Sequence, residues 1–301
     1  MGTDPRTAWR RFFERELRDE VRALARNYPS ERSLAVDAID LHAFDATLAD
    51  QLFTAPDRSL AAAEAALRDL HEPFDRVQIR PENYPDLRSV RALRSDQRAE
   101  LVAVEGIVET RQPVRSKVAV AVFACEHCGD RTVRRPRGLE VTPPRACPAC
   151  GVTDGLAFRD GPSTFVDVRR VELADPEGSG TAADAERWTV DVCLADELVE
   201  AVAPGDGAIV TGILRVDGEP PVNRFDFLVE ALAVDTAVAF GSAPEPQAPG
   251  APVGAPDEAP DGDGAVDGDG DLKAVLDAHW RDAVDEAQGR HERSRAPTGR
   301  V

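Results

Sequence analysis

Lysine is almost absent from this chain of 301 residues, in which Lys117 and Lys273 are the only lysines among 36 basic side chains. The 55 acidic residues bring the formal net charge to −19 at pH 7. An acidic, lysine-poor surface is typical of proteins that stay hydrated at molar salt, where the Debye length is about 3 Å. The composition therefore favours a halophilic archaeal origin, and an acidic mesophilic protein is the alternative.

Long apolar runs are also missing, because no stretch approaches the roughly 18 residues that a membrane-spanning helix needs. Residues 1–5 show no basic region followed by an apolar one, so no secretory signal is expected and the predicted location is the cytoplasm. Neither lysine has the Gly-Lys-Ser/Thr context of a phosphate-binding P-loop. No hydrolase motif stands out, and we predict a protein that is not an enzyme.

Four of the five cysteines form two CxxC pairs, Cys125 with Cys128 and Cys147 with Cys150. Two such pairs can place four thiolates around one metal ion in a closed tetrahedral site. The predicted cofactor is therefore a structural Zn²⁺, and an iron–sulfur site or redox CxxC pairs are the alternatives. Cys193 lies inside an apolar run and is expected to be a buried core thiol.

The first 80 residues have the apolar periodicity of helices. Apolar stripes over 9–24, 41–52 and 59–70 predict three helices with short links, which would form a small bundle over 1–80. The short stretch Ser33–Asp37 is expected to be extended.

From about residue 77 the pattern changes to short β-type runs separated by Pro, Gly and Asp. This pattern of short strands and turns predicts an OB-type barrel over 81–240, with the cysteines in a ribbon inserted at 123–155. Gly106 interrupts one run and indicates a bulge or sharp bend. The predicted fold class is α+β.

The C-terminal part of the chain has a different composition. Residues 241–271 contain eight acids and no base among Gly, Ala and Pro, which predicts a disordered acidic linker. An apolar stripe that includes Trp280 then predicts an amphipathic helix over 272–295. Such a helix is expected to dock on this protein, a second copy or a partner.

Basic residues outnumber acidic ones around the cysteines. The bases of residues 111–145 are Arg111, Arg115, Lys117, Arg131, Arg134, Arg135, Arg137 and Arg145, against Glu126, Asp130 and Glu140. A phosphate-contacting surface is the functional interpretation. A solvated arginine-rich ribbon, or arginines paired with a neighbouring subunit, are the alternatives. Aromatic residues are only 5% of the chain, so strong stacking on bases is not expected.

Several segments, taken in order, resemble the N-terminal region of archaeal minichromosome maintenance (MCM) helicases. The resemblance covers roughly residues 8–238 and is carried by Ser33–Asp37, Asp40–Asp50, Val90–Arg94, Val102–Val108, Val122–Cys125, Phe165–Asp167, Asp196–Val199, Pro204–Asp206 and Val210–Leu214. It implies a helical subdomain, a zinc ribbon and an OB-fold that assemble as a homo-oligomer, usually a hexameric ring around DNA. It also implies DNA-facing basic residues at Arg111, Arg115, Lys117 and Arg170.

The sequence departs from the family pattern in two places. The family continues into an AAA+ ATPase, whereas here the barrel is followed by the acidic linker. The family also places a basic hairpin between the last two barrel strands, where residues 217–224 contain one base, Arg224. We therefore expect a stand-alone form without helicase activity of its own, and a weaker grip on DNA in a central channel.

Three functional hypotheses follow. The first is a DNA-binding protein for single-stranded or forked DNA, accessory to replication or repair. The second is a partner or regulator of MCM ring assembly, including that of full-length MCM, which acts through protein contacts without binding DNA. The third is an adaptor that recruits a partner through residues 272–288.

Overall fold

The computed structural model describes residues 4–71, 74–136, 140–176, 188–218 and 225–236. The helices within these ranges are α1 (Pro5–Arg15), α2 (Arg18–Asn27), α3 (Ala38–Phe44), α4 (Ala46–Thr54) and α5 (Pro56–Leu70). The strands are β1 (Ser33–Asp37), β2 (Gln78–Glu82), β3 (Leu87–Ser89), β4 (Leu101–Arg111), β5 (Arg115–Cys125), β6 (Arg131–Arg134), β7 (Leu156–Ala174), β8 (Thr189–Ala195), β9 (Gly207–Asp217) and β10 (Asp226–Asp235). The predicted linker (241–271) and terminal helix (272–295) lie outside the described residues. No helix in the described ranges is long and apolar enough to cross a membrane.

The prediction of three helices is wrong, because two of the apolar stripes are each divided into two helices. Asp45 separates α3 from α4, and its carboxylate accepts a hydrogen bond of 3.1 Å from the Leu48 N–H at the start of α4. Leu17 separates α1 from α2, with a backbone outside the helical region. The apolar spacing survives both breaks because helices on either side pack on one core.

Aromatic side chains of α1 form the centre of the helical subdomain. Trp9, Phe12 and Phe13 are almost fully buried, and the Trp9 and Phe13 rings stack with centroids 5.5 Å apart. The Trp9 indole N–H donates a hydrogen bond of 3.1 Å to the Ser59 hydroxyl, which ties α1 to α5. A two-stranded parallel sheet of β1 and β2 completes this subdomain, and the extended prediction for Ser33–Asp37 is confirmed.

Five strands close a barrel that has the connectivity of an OB-fold. Around the barrel the order is β4, β9, β10, β8 and β7, and the antiparallel pairing of β4 with β7 closes the ring. The pair β8–β10 is parallel, whereas the other four barrel pairs are antiparallel. Valine and leucine side chains such as Val104, Val192 and Leu214 fill the interior. The ribbon that carries the cysteines is inserted between β4 and β7.

Gly106 lies where β4 leaves one neighbour and joins another. Residues 101–107 of β4 pair with β9, and pairing with β7 begins at Ile107. A Cβ atom at position 106 would lie 2.5 Å from the Leu173 side chain and 2.6 Å from the Ala174 carbonyl oxygen. The predicted bend therefore coincides with a close approach of two strands, and the register shift follows between Val108 and Thr110.

The helical subdomain docks on the barrel through a cluster of ion pairs. Asp196, in the turn after β8, pairs with Arg32 and accepts a hydrogen bond of 3.1 Å from the Gln78 amide. The adjacent Glu197 accepts hydrogen bonds of 2.7 Å from the Ser33 hydroxyl and 3.0 Å from Arg80. Burial alone would raise the pKa of Glu197, but these hydrogen bonds lower it overall. The turn thus holds the edge of the β1–β2 sheet through charged contacts.

Replacement of Glu197 by glutamine should make stability less dependent on acid pH. Because the folded-state pKa of Glu197 is lowered, its contribution is fully present above the unfolded pKa of about 4.3 and is lost as pH falls through the folded value. We expect Glu197→Gln to be less stable than the wild type at pH 7, and the gap to shrink towards pH 3. Urea unfolding at fixed salt across this pH range measures the gap, and a constant gap contradicts the assignment.

Candidate metal centre and nucleic-acid interface

Each CxxC pair lies in a tight turn that a glycine completes. After β5, the Gly129 N–H donates to the Cys125 carbonyl at 2.8 Å, and Gly129 has a φ of +77°. The second turn repeats this arrangement with Gly151, whose N–H donates to the Cys147 carbonyl at 2.9 Å and whose φ is +75°. These backbone conformations favour glycine, and each turn directs two sulfur atoms to one side.

The four sulfur atoms form a compact cluster. The Sγ atoms of Cys125 and Cys150 are 3.7 Å apart, those of Cys128 and Cys147 are 3.6 Å apart, and all four lie within 4.8 Å of one another. Zinc–sulfur bonds of about 2.3 Å in a tetrahedron require sulfur–sulfur distances of about 3.8 Å. The predicted grouping is confirmed, and its dimensions fit one tetrahedral ion.

Backbone groups favour the thiolate form in this cluster. The pKa of Cys147 is lowered to about 7, chiefly by the backbone N–H of Cys150 and also by that of Ala149. Backbone hydrogen bonds also act to lower the pKa of Cys128 and Cys150, but burial and hydrogen bonds among the thiols raise both overall, that of Cys128 to about 12. A metal requires deprotonated thiols, and the charge of a bound ion would favour that form at all four positions. Cys193 lies outside the cluster and is buried in β8, where burial raises its pKa, as expected for a core thiol.

Three of the four basic residues suggested by the resemblance meet at one surface. Arg115, Lys117 and Arg170 line a groove of about 460 Å³ on the barrel. Its walls come from the β4–β5 connection, β7 and the segment that returns from β6, where Val141 is exposed. We call this surface the basic groove. Arg111 is not among the residues that line it.

Acidic partners neutralise most of these bases. Lys117 Nζ lies 2.8 Å from Glu230, and Arg170 pairs with Asp191 at 3.1 Å and Asp217 at 2.7 Å. Arg115 is exposed and forms no ion pair with any acid in the described part of the chain. Among the residues that the structure describes, the basic groove therefore offers one cation without an acidic partner and two that are held by carboxylates.

Arg111 lies instead at one end of the barrel, where sequence reasoning missed a partner. It forms an ion pair with Glu200, and Arg169 donates to the same carboxylate at 2.8 Å. Arg215 and Glu230 were also missed, although a charged residue inside the apolar run 213–216 was a signal that a partner must exist.

Near the cysteines, Arg131, Arg134 and Arg145 are exposed and form no ion pair with described acids.

Arg137 and most of the span 217–224, including Arg224, lie outside the described residues. His127 is exposed between two ligand positions, and it does not belong to the sulfur cluster.

Two family models match the chain. The MCM N-terminal domain model matches residues 8–96, and the MCM OB domain model matches residues 89–218. Together they span the helical subdomain, the ribbon and most of the barrel.

Curated proteins that resemble the chain include replication factors. DNA replication licensing factor mcm4 of Xenopus tropicalis is 28% identical over 199 residues, which are 63% of this chain and 23% of that protein. Minichromosome maintenance protein MCM of Saccharolobus solfataricus is 23% identical over 227 residues, 69% of this chain and 33% of that protein. The chain thus spans only a quarter to a third of the length of these relatives.

One solved structure has a similar fold. The crystal structure of the N-terminal domain of an archaeal MCM superposes with a TM-score of 0.67 at 25% sequence identity. The match covers 78% of this chain and 98% of that one. The resemblance seen in the sequence and the predicted fold class, with its helical subdomain and OB barrel, are confirmed.

Proposed function

Because the chain belongs to the MCM family through its N-terminal and OB domains, we propose that this region binds single-stranded DNA as a non-catalytic module in DNA replication. The observation that carries the proposal is the convergence of Arg115 and Lys117, from β5, with Arg170, from β7, on the basic groove. Such a groove can follow a phosphate backbone without reading sequence. Arg111 stays a weaker candidate because it lies away from the groove and is paired with Glu200.

The ion pairs in the basic groove can exchange carboxylates for phosphates. The ion pairs of Arg170 with Asp191 and Asp217 are about a third exposed, and exposed ion pairs are worth about 0–1 kcal/mol. A phosphate that offers a charge-assisted hydrogen bond can compete with such pairs. Arg115 would make the first contact because no described acid holds it. The exposed Arg131, Arg134 and Arg145 extend the positive surface onto the ribbon.

We assign Zn²⁺ to the cluster of Cys125, Cys128, Cys147 and Cys150. The ion would supply a structural crosslink, because four thiolates leave no position open for water. The four side chains fix the two turns against each other and so hold the ribbon arginines in place.

Protein contacts are the second candidate function. The observation in its favour is that three of the four bases suggested by the resemblance already have acidic partners. In that case the chain would join or regulate MCM rings, as a homo-oligomer or with full-length MCM, and the arginines would serve structure.

A triple replacement, Arg115→Ala with Lys117→Ala and Arg170→Ala, tests the DNA function. We expect affinity for labelled oligodeoxythymidine to fall about tenfold or more at low salt. The slope of log K against log salt should become shallower by about 2, since each lost phosphate contact on a single strand removes about 0.7. Fluorescence anisotropy across a salt series measures both quantities.

The matched control removes three exposed arginines from the helical subdomain, Arg10, Arg11 and Arg22, and so changes the net charge equally. Its affinity and slope should stay near those of the wild type. An equal loss of affinity in both triple variants would show that the net charge of the protein, and not the basic groove, determines DNA binding. Absence of binding by the folded, zinc-loaded wild type at any salt would favour the ring-assembly function.

A further inference from the structure

A line of four alternating charges joins the basic groove to the helical subdomain. Lys117 Nζ lies 2.8 Å from one Glu230 oxygen, and the other oxygen accepts hydrogen bonds of 2.8 and 3.1 Å from Arg215. Arg215 donates two further hydrogen bonds of 2.7 Å to Asp57, in the first turn of α5. The side chains of Lys117, Glu230 and Arg215 are only 19%, 15% and 17% exposed.

Lys117 stands between two cavities. It lines the basic groove and also a second cavity of about 160 Å³, which lies between the barrel and α5. Among the described residues, Glu230 lines the second cavity and not the groove. Lys117 is therefore paired with a carboxylate on the side away from the groove. A phosphate in the groove binds Lys117 only if it replaces Glu230 as the partner of the ammonium group.

Glu230 can release Lys117 without becoming an unpaired buried charge. Burial alone would raise the pKa of Glu230, but Lys117 and Arg215 lower it overall, so the carboxylate is ionised at neutral pH. If Lys117 leaves, Glu230 keeps both hydrogen bonds from Arg215. The Arg215 guanidinium also donates hydrogen bonds to Asp57. The strength of the interaction between Arg215 and Glu230 therefore depends on Asp57, because the two carboxylates share one guanidinium.

We propose that Glu230, Arg215 and Asp57 are positioning residues for Lys117, through which helix α5 sets how much positive charge the groove presents to DNA. This proposal rests on the proposed function of the groove. Loss of Asp57 leaves Arg215 to Glu230 alone, weakens the hold of Glu230 on Lys117 and so favours DNA. Loss of the Glu230 charge has the same effect more directly.

The chain offers a readout of Lys117 that needs no DNA. Lys117 and Lys273 are its only lysines, so an amine-acetylating reagent reports the accessibility of Lys117 by mass spectrometry, with Lys273 as the internal standard. We expect Glu230→Gln and Asp57→Asn to raise the labelling rate of Lys117 relative to Lys273. Lys117 Nζ lies 2.8 Å from Glu230, so release from that carboxylate exposes the amine to the reagent and speeds acetylation.

The same variants are tested for affinity to oligodeoxythymidine. We expect Glu230→Gln to bind about three- to fivefold more tightly and Asp57→Asn about twofold more tightly, the range that one such ion pair can supply. In a Lys117→Ala background both gains should vanish. Glu197→Gln is the control, because it also removes one acid that links the subdomains but does not touch the groove.

The outcomes separate the two proposals. Unchanged Lys117 labelling in folded Glu230→Gln overturns the positioning role, whatever the DNA result. If Lys117 is acetylated faster but no variant binds DNA, the positioning role is supported and the proposal that the groove binds DNA is wrong. Gains in DNA affinity that persist in the Lys117→Ala background, or that appear equally in Glu197→Gln, would show that Glu230 and Asp57 do not act through Lys117.

Discussion

Replacement of Cys128 by serine should abolish zinc binding and unfold the ribbon while the barrel stays folded. Cys128 is exposed, so the substitution removes a ligand without disturbing packing. Structural zinc contributes about 10–16 kcal/mol to the folding of small zinc domains, far more than the few contacts of this ribbon can replace. The barrel has its own apolar core around Val104, Val192 and Leu214, so its cooperative unfolding transition should persist.

Zinc content per chain and limited proteolysis between residues 126 and 155 measure this loss. The wild type should bind one zinc ion and resist cleavage in the ribbon, and the variant should do neither. Cys193→Ala is the matched control, because it removes the fifth cysteine and should leave the zinc content at one. Retention of stoichiometric zinc by Cys128→Ser would show that the four-sulfur assignment is wrong.

Replacement of Trp9 by alanine should cost about 3–5 kcal/mol in the free energy of unfolding, the range for loss of a large buried aromatic side chain. Trp9 is 0% exposed, stacks on Phe13 and donates its indole N–H to Ser59. The substitution should weaken the packing between α1 and α5, and α5 is the helix that carries Asp57. Urea unfolding followed by circular dichroism measures it.

Two variants show whether the cost arises from burial. Trp188→Ala removes an indole that is 45% exposed just before β8, and it should change stability by about 0.5 kcal/mol or less. Trp9→Phe keeps an aromatic ring but loses part of the indole volume and the N–H, so its cost should lie between those of Trp188→Ala and Trp9→Ala. A loss for Trp188→Ala as large as that for Trp9→Ala would contradict the burial argument.

Local patterns made the clustering of the four cysteines predictable. These cysteines lie in two turns of four residues each, so spacing alone carries their geometry. The helix breaks were missed for an equally local reason. Asp45 has the side chain of a helix N-cap, but the apolar stripe continues through it because α3 and α4 face the same core. Periodicity reports the buried face and not the continuity of the backbone.

The electrostatics of the groove could not be predicted because its ion pairs join residues that are distant in sequence. Lys117 and Glu230 are 113 positions apart, and Arg215 and Asp57 are 158 apart. Only the folded barrel brings Lys117 of β5 to Glu230 of β10, and only docking of α5 brings Asp57 to Arg215 of β9. A count of bases and acids over residues 111–145 therefore overstated the free charge that the groove presents.

The connectivity of the barrel also sets an order for events during synthesis. The first barrel strand, β4, needs β9 as its neighbour, and β10 joins β8 to β9, so the ring stays open until residue 235 has left the ribosome. The two cysteine turns, by contrast, are complete once residue 151 has emerged. Contacts close in sequence form before distant ones, because their loops cost less entropy to close. The cysteine turns of a nascent chain can therefore meet, and would bind the proposed zinc ion, while the barrel around the insertion is still unfinished.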